Sequence, residues 1–171
     1  VDLDPSPNSI TFNVNAVNDT PAGTDKTLSI NEDSSYTLTA ADFGFSDNSD
    51  NPANTLTAVK ITSLPAAGSL TLNGVSVTAG QFITATEING GKLLFSPAAN
   101  ASGNTYASFS FQVQDNGGTA NGGVDLDPSP NSITFNVNAV NNASFTIHTS
   151  LESWTAPKLP IHDSLTESDL E

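Results

Sequence analysis

The eighteen residues VDLDPSPNSITFNVNAVN occupy positions 1–18 and return unchanged at 124–141. An identical segment at an offset of 123 makes everything between the two copies one unit of a tandem array. Each unit of such an array must be a fold that buries its own core and joins its neighbours end to end. The expected organisation is the terminal strand of a preceding repeat over residues 1–18, one complete repeat over 19–141, and a non-repeating tail over 142–171.

Charge narrows what the unit can meet. Eighteen Asp and Glu stand against four cations, all lysines (Lys26, Lys60, Lys92 and Lys158), for a formal charge of −14. Phosphate binding needs clustered Lys and Arg, so nucleic acid is excluded as a partner and an anionic membrane surface is repelled. No apolar run approaches the roughly 20 residues of a membrane-spanning helix, so no membrane insertion is expected. With no cysteine in the chain, neither disulfides nor thiolate metal sites are available. The repeat also lacks histidine, which leaves only carboxylates and hydroxyls for acid–base or nucleophilic chemistry. A carboxylate pair across a cleft could in principle cleave glycosides, but a repeated unit fits that role poorly, and no enzyme is expected.

Apolar residues alternate cleanly in several stretches, which disordered chains rarely show. Thr27 to Ile30 and Tyr36 to Thr39 predict short strands around an Asn31-Glu32-Asp33-Ser34 interruption. Ala40 to Phe45 predicts a tight corner, and residues 46–52, without an apolar side chain, predict a loop. Leu56 to Leu64 reads as a strand with Val59 and Ile61 on one face. Leu70 and Leu72, then Asn73-Gly74, then Val75 and Val77 predict a hairpin, since Asn-Gly is the strongest two-residue hairpin signal. Residues 82–88 are ambiguous between strand and one helical turn. Residues 92–96 form a buried strand stopped by Pro97. Phe109, Phe111 and Val113 define a half-buried strand, and Ile133, Phe135, Val137 and Ala139 point inward from the last one. Some seven to nine short strands with turn signals every 8–12 residues or so predict an all-β, antiparallel sandwich of immunoglobulin or cadherin type with Greek-key connections.

Several motifs, in order, carry a family resemblance. They are Val-Asn-Asp-x-Pro at residues 17–21, Asn-Glu-Asp at 31–33 and Phe-Ser-Asp-Asn-Ser-Asp at 45–50. Leu-Leu-Phe-Ser-Pro-x-x-Asn at 93–100 and Phe-x-Phe-x-Val-x-Asp at 109–115 follow, with the final strand after them. The unit resembles the cadherin-like and immunoglobulin-like extender repeats of giant bacterial surface adhesins of the type I secreted, RTX kind. That resemblance implies an extracellular, cell-surface array of calcium-stiffened sandwiches that hold a distal binding domain outward in adhesion and biofilm formation.

It also implies the ligands: Glu32, Asp33, Asp47, Asp50 and Asp115, with Asn18 and Asp19 from the linker, gathered near one junction. Asp127, with Asp125, precedes the last strand and could serve a second site. The second linker reads Asn141-Asn142 where the first reads Asn18-Asp19, so a site at that junction should be weaker. Calcium takes six to eight hard oxygens from carboxylates, amides and carbonyls, and the repeat offers no softer ligands. Asp and Asn also cap their own turns; it is the uncompensated set at loop ends, more than any one residue, that points to a cation.

Four further readings complete the expectations. A glycan- or peptide-binding module is the alternative, with Tyr36 beside Glu32–Asp33 and Tyr106 with Asn104 as surfaces, and Trp154 as a stacking platform outside the repeat. A Lys–Asn or Lys–Asp isopeptide staple through Lys26, Lys60 or Lys92 is conceivable, although no spacing selects one. Partners should be neighbouring repeats of the same chain, with strand pairing or a swap between copies, because Ile10, Phe12 and Val14 have no core of their own. The tail, with His148, His162 and Trp154, does not align with the repeat and is expected to be largely flexible.

Overall fold

The computed structural model describes residue 2 and residues 5–141. The expectations for a strand at Phe145-Thr146-Ile147, a capping box at residues 164–167, His148, His162 and Trp154 lie outside the described residues.

Alternation in the sequence becomes two facing sheets. Strands β1 (Lys26–Asn31), β3 (Leu56–Ile61), β6 (Phe82–Thr84), β8 (Gly103–Asp115) and β9 (Asn131–Asn138) make a five-stranded sheet in the order β1-β9-β8-β3-β6. Strands β2 (Tyr36–Thr37), β4 (Ser69–Leu72), β5 (Val75–Ser76) and β7 (Leu93–Ser96) make the opposing sheet in the order β2-β7-β4-β5. The all-β sandwich read from the sequence is the fold that forms. One pairing departs from the antiparallel rule: β1 runs parallel to β9, from Lys26 opposite Ile133 to Asn31 opposite Asn138. The first and last strands of the unit thus lie side by side and end at the same pole.

The local chemistry explains the smaller elements. Asn73 and Gly74 both take left-handed φ (51° and 80°), as the tight turn between β4 and β5 requires. Residues 82–88 resolve into β6 followed by the short helix α1 (Ala85–Asn89). The helix begins there because Thr84 and Glu87 form a capping box: the Glu87 carboxylate accepts from Thr84 N–H at 3.0 Å, and Thr84 Oγ1 accepts from Glu87 N–H at 3.2 Å. The corner at residues 40–45 is a 3₁₀ turn, Ala40–Phe43, closed by left-handed Gly44. Strand β8 begins earlier than its alternation suggests, with a register shift between Gly103 and Ala107 where Thr105 adopts φ 52°. Ala139 is exposed rather than inward, because β9 ends at Asn138.

Aromatic rings bind the sheets together. Phe135 of β9 stacks on Phe95 of β7 with centroids 3.9 Å apart and 10° between planes. Phe43 meets Phe111 edge-on at 4.9 Å. Leu28, Ile30, Val59, Ile61, Leu93, Phe109, Val113, Ile133 and Val137 fill the space around them. Residues 7–20 belong to no strand, and Ile10, Phe12 and Val14 are 81%, 81% and 91% exposed. Their identical counterparts Ile133, Phe135 and Val137 are buried.

The contrast gives a direct prediction. Phe135→Ala should cost about 3–5 kcal/mol, the usual range for deleting a buried ring. Phe12→Ala, the same change in the same eighteen-residue context, should stay within about 0.5 kcal/mol. Urea unfolding of the two variants checks it.

Candidate metal centre

Strand ends and the incoming linker meet at one pole of the sandwich. Strand β8 finishes at Asp115 opposite Leu56, where a bulge between Leu56 and Ala58 interrupts the ladder to β3. The Asp115 side chain is buried and accepts from Gly117 N–H at 2.9 Å, a turn closed by its own carboxylate. Asn18 reaches in from the linker and donates to both Asp115 oxygens (3.1 and 3.3 Å) and to the Val124 carbonyl (2.9 Å). Val124 N–H returns to the Asn18 carbonyl at 3.1 Å. A Cβ at position 117 would overlap Asn18 Oδ1, so only glycine lets the linker seat this deeply.

The loop before β3 supplies two more carboxylates. Asp47 is 5% exposed; its Oδ2 accepts from Asn54 N–H at 2.6 Å. Asp50 Oδ2 accepts from Asp19 N–H at 3.0 Å and from the Asn54 amide at 3.2 Å. The Asn54 amide also makes a short hydrogen bond to Asn18 Oδ1. Asn54 therefore ties Asp47, Asp50 and the linker together, yet no motif singled it out. Its only signal was an amide four residues beyond Asp50. Asn116, whose Oδ1 accepts from Thr55 N–H at 2.7 Å, is a second polar residue that the sequence reading did not select.

The electrostatics of this pole are unfavourable for the protein alone. Asp47 Oδ1 is buried without a hydrogen-bond partner; among the described residues the one other buried side-chain oxygen in that state is Asn131 Oδ1. Burial raises the Asp115 carboxyl above its ordinary value, and the nearby charges of Asp47 and Asp125 push the same way against the opposing bonds from Gly117 and Asn18. A buried acceptor with no donor and a carboxyl that resists ionisation are the imbalance a cation relieves. Among the described residues no three Asp, Glu or His side chains converge tightly enough to hold a metal by themselves. An oxygen set at this pole would be mixed, drawing on Asn18 and Asn54 amides and backbone carbonyls as well as carboxylates.

The other expected ligands lie elsewhere. Glu32 sits at the opposite pole, where β1 and β9 end: its N–H donates to the Asn138 carbonyl at 2.8 Å and its Oε1 accepts from Val140 N–H at 2.9 Å. Asp33, in a left-handed turn, accepts from Asn100 N–H at 2.8 Å. Asn141, next to Val140, is exposed at this same end. The expected gathering of Glu32 and Asp33 with Asp47, Asp50 and Asp115 within one unit is thus corrected. Strand β1 carries the Asn31–Asp33 bend to the far end because it runs parallel to β9. Asp127 is buried in the wall, and both its oxygens are engaged, by Gly23 N–H and Ser129 N–H, each at 2.8 Å. Asp125 accepts from Gln114 Nε2 at 3.1 Å.

A buried acid without such an imbalance provides the comparison. Asp42 is buried with Lys26 Nζ at 2.7 Å, Thr39 N–H at 2.8 Å, Thr39 Oγ1 at 2.9 Å and the Tyr36 hydroxyl at 3.3 Å. Burial raises its carboxyl, but these partners outweigh burial and hold it below the ordinary value. Lys26 is held above its own, chiefly by the bond to Asp42. Lys60 sits over the Phe82 ring at 5.7 Å. The Tyr106 hydroxyl accepts from Ala98 N–H at 3.1 Å, so both tyrosines are half-buried with their hydroxyls engaged in the fold.

The match to known families fits this geometry. The model of the cadherin-like family covers residues 21–124. The chain belongs to the cadherin-like family. Members are extracellular adhesion-type modules, typically without enzymatic activity, and often bind calcium. The matched region ends before β9, which completes this cadherin-like sandwich. No curated protein and no solved structure matches the chain. Among the described residues no helix is long and apolar enough to cross a membrane.

The two buried acids should respond oppositely to pH. A carboxyl raised in the fold costs stability above its unfolded pKa, and the cost is relieved as pH falls. Asp115→Asn should therefore raise stability at pH 7 in chelator, and its advantage should vanish below about pH 4. Asp42, lowered in the fold, contributes stability above its unfolded pKa that is lost as pH falls through the folded one. Asp42→Asn should lower stability at pH 7, and the deficit should close only below about pH 4, more acidic than the range over which the Asp115→Asn advantage fades. Denaturant melts from pH 7 to 3 read both.

Proposed function

We propose that the unit is a calcium-stiffened structural extender of a repetitive bacterial cell-surface adhesin, exported by the type I route and used in adhesion and biofilm formation. The observation that carries this reading is the acidic pole: Asp47 Oδ1 buried without a partner beside an Asp115 that resists ionisation. Asp47, Asp50 and Asp115 would hold the ion, joined by Asn18, Asn54 and backbone carbonyls. The amides of Asn18 and Asn54 can turn to present oxygen in place of nitrogen. The ion supplies two positive charges to a pole that has no lysine among these residues, and it ties the linker to the body.

The repeat extends the argument across a junction. Residues 124–141 duplicate 1–18, so Asn141 stands to a following body as Asn18 stands to this one. Val140, bonded to Glu32, is the neighbour of Asn141. In an array, Glu32 of one body would therefore lie within a residue or so of linker from the Asp47–Asp50–Asp115 pole of the next. The expected ligands, split between two poles of one unit, would be brought into one neighbourhood by two units in series, with Asn141 of one unit taking the place that Asn18 holds here and Asp127 left in the wall. With the ion absent, the acids repel and the linker hinges; with it bound, the bodies align.

Affinity should be about 10⁻⁴–10⁻³ M, as for extracellular calcium modules. At calcium ten times the Kd, the gain is about 1.4 kcal/mol. Thermal melts should rise by several degrees in millimolar calcium over chelator for the natural sequence, and by much less for Asp47→Ala. Superimposable melts in calcium and chelator would end this reading.

A further inference from the structure

Charge is spread unevenly over the sandwich, and one flank is nearly free of it. Residues 51–114 hold Lys60, Lys92 and Glu87 as their only charged side chains, a net +1 in a chain at −14. They build β3 to β7, α1 and all of β8 but its last residue. Strands β5 and β6, joined by the short connection 77–81, are the terminal strands of the two sheets on this side. The terminal strands on the other side, β1 and β2, are flanked by Asp25, Glu32, Asp33 and Asp42. We propose that the β5/β6 flank is a lateral docking surface whose partner is the same flank of a second copy of this sandwich.

Apolar exposure falls on the same flank. Val75 of β5 is 71% exposed, Phe82 of β6 46%, and Leu64, after β3, 44%. Among the described residues the other exposed large apolar side chains lie within residues 1–18 or at Val124 and Val140. Leu64 lines an open groove with Pro65, Leu70 and Val77. Two of the three charged groups are already engaged: the Glu87 carboxylate accepts from Thr84 N–H and its hydroxyl, and Lys60 Nζ lies over the Phe82 ring. Sheets commonly guard an open edge with charged side chains. Here Val75, Ser76, Phe82, Ile83 and Thr84 carry none.

The partner follows from charge and from spacing. A second chain at −14 is repelled by Asp47, Asp50 and Asp115 at one pole and by Glu32 and Asp33 at the other. At the β5/β6 flank that repulsion is missing. A two-fold axis would set Val75 and Phe82 of each copy against the Leu64 groove of the other, so the patch completes itself. In an array the flank recurs every 123 residues, and the surface that recurs at the same interval is another array. Strands of two and three residues offer little area. One pair of sandwiches should therefore bind weakly, with a dissociation constant on the order of 1 mM, and units in series should multiply the contact.

Sedimentation equilibrium of the full chain tests the proposal. At about 1 mM protein, roughly half of the chains should be paired at that dissociation constant. Raising salt from about 0.01 to 1 M shortens the Debye length from about 30 to 3 Å, screens the acidic poles and should strengthen pairing. Pairing should persist in chelator, which separates this result from the calcium reading. Val75→Asp with Phe82→Asp should hold the chain at monomer mass and keep its cooperative melt, since both side chains are exposed. Ile10→Asp with Phe12→Asp, also at exposed positions, should leave pairing intact. A monomer at both salt concentrations would leave the flank to an unlike partner, and pairing that weakens with salt would mark a lysine-to-acid contact. Either result, or pairing that survives Val75→Asp with Phe82→Asp, would overturn the proposal.

Discussion

Phe135 rests on Phe95 with 3.9 Å between ring centres, and through that stack the last strand is packed onto the opposing sheet. Buried aromatic pairs add to area burial only when the rings are held in register. Here the register is set by β9 lying between β1 and β8, with Leu28 opposite Phe135 and Ala107 on the other side. The rest follows from that seat. Because β1 pairs with β9 in parallel, the unit begins and ends its sheet on adjacent strands. Its entry and exit linkers therefore emerge at opposite poles, as a module strung end to end requires.

The poles carry the charge that the core cannot. A chain at −14 with four lysines has few counter-charges, and Lys26 is spent inside the wall on Asp42. Asp42 and Asp127 show what a structural acid looks like: buried, with donors on both oxygens. Asp47 and Asp115 are buried too, but one keeps an oxygen unpartnered and the other is pressed toward its neutral form. The unpartnered oxygen sets Asp47 apart from the structural acids, and Asp115, which has donors on both oxygens, is set apart by the burial and neighbouring charge that raise its carboxyl; burial alone does not separate them.

Much of the sandwich was legible because its strands are amphipathic at period two: Phe109-Phe111-Val113 and Ile133-Phe135-Val137 announce their faces, and Asn73-Gly74 announces its hairpin. The parallel β1–β9 pair was not, since a contact between residues about a hundred apart leaves no local trace. That one pairing sent Glu32 and Asp33 to the far pole and split the expected ligand set. Asn54 was missed for a related reason. An asparagine in a polar loop looks like any turn former, and only the fold shows it bonded to Asp47, Asp50 and Asn18 together. The capping box at Thr84 and Glu87 was present in the sequence, but a five-residue helix is too short for periodicity to reveal.

If calcium at the acidic pole converts a hinged junction into a rigid one, as proposed, two units in series should straighten when it binds. Small-angle scattering on two tandem copies of residues 19–141 tests it most directly. In millimolar calcium the maximum dimension should match two bodies laid end to end, and chelator should give a shorter, broader distance distribution. Identical distributions in calcium and chelator would contradict it.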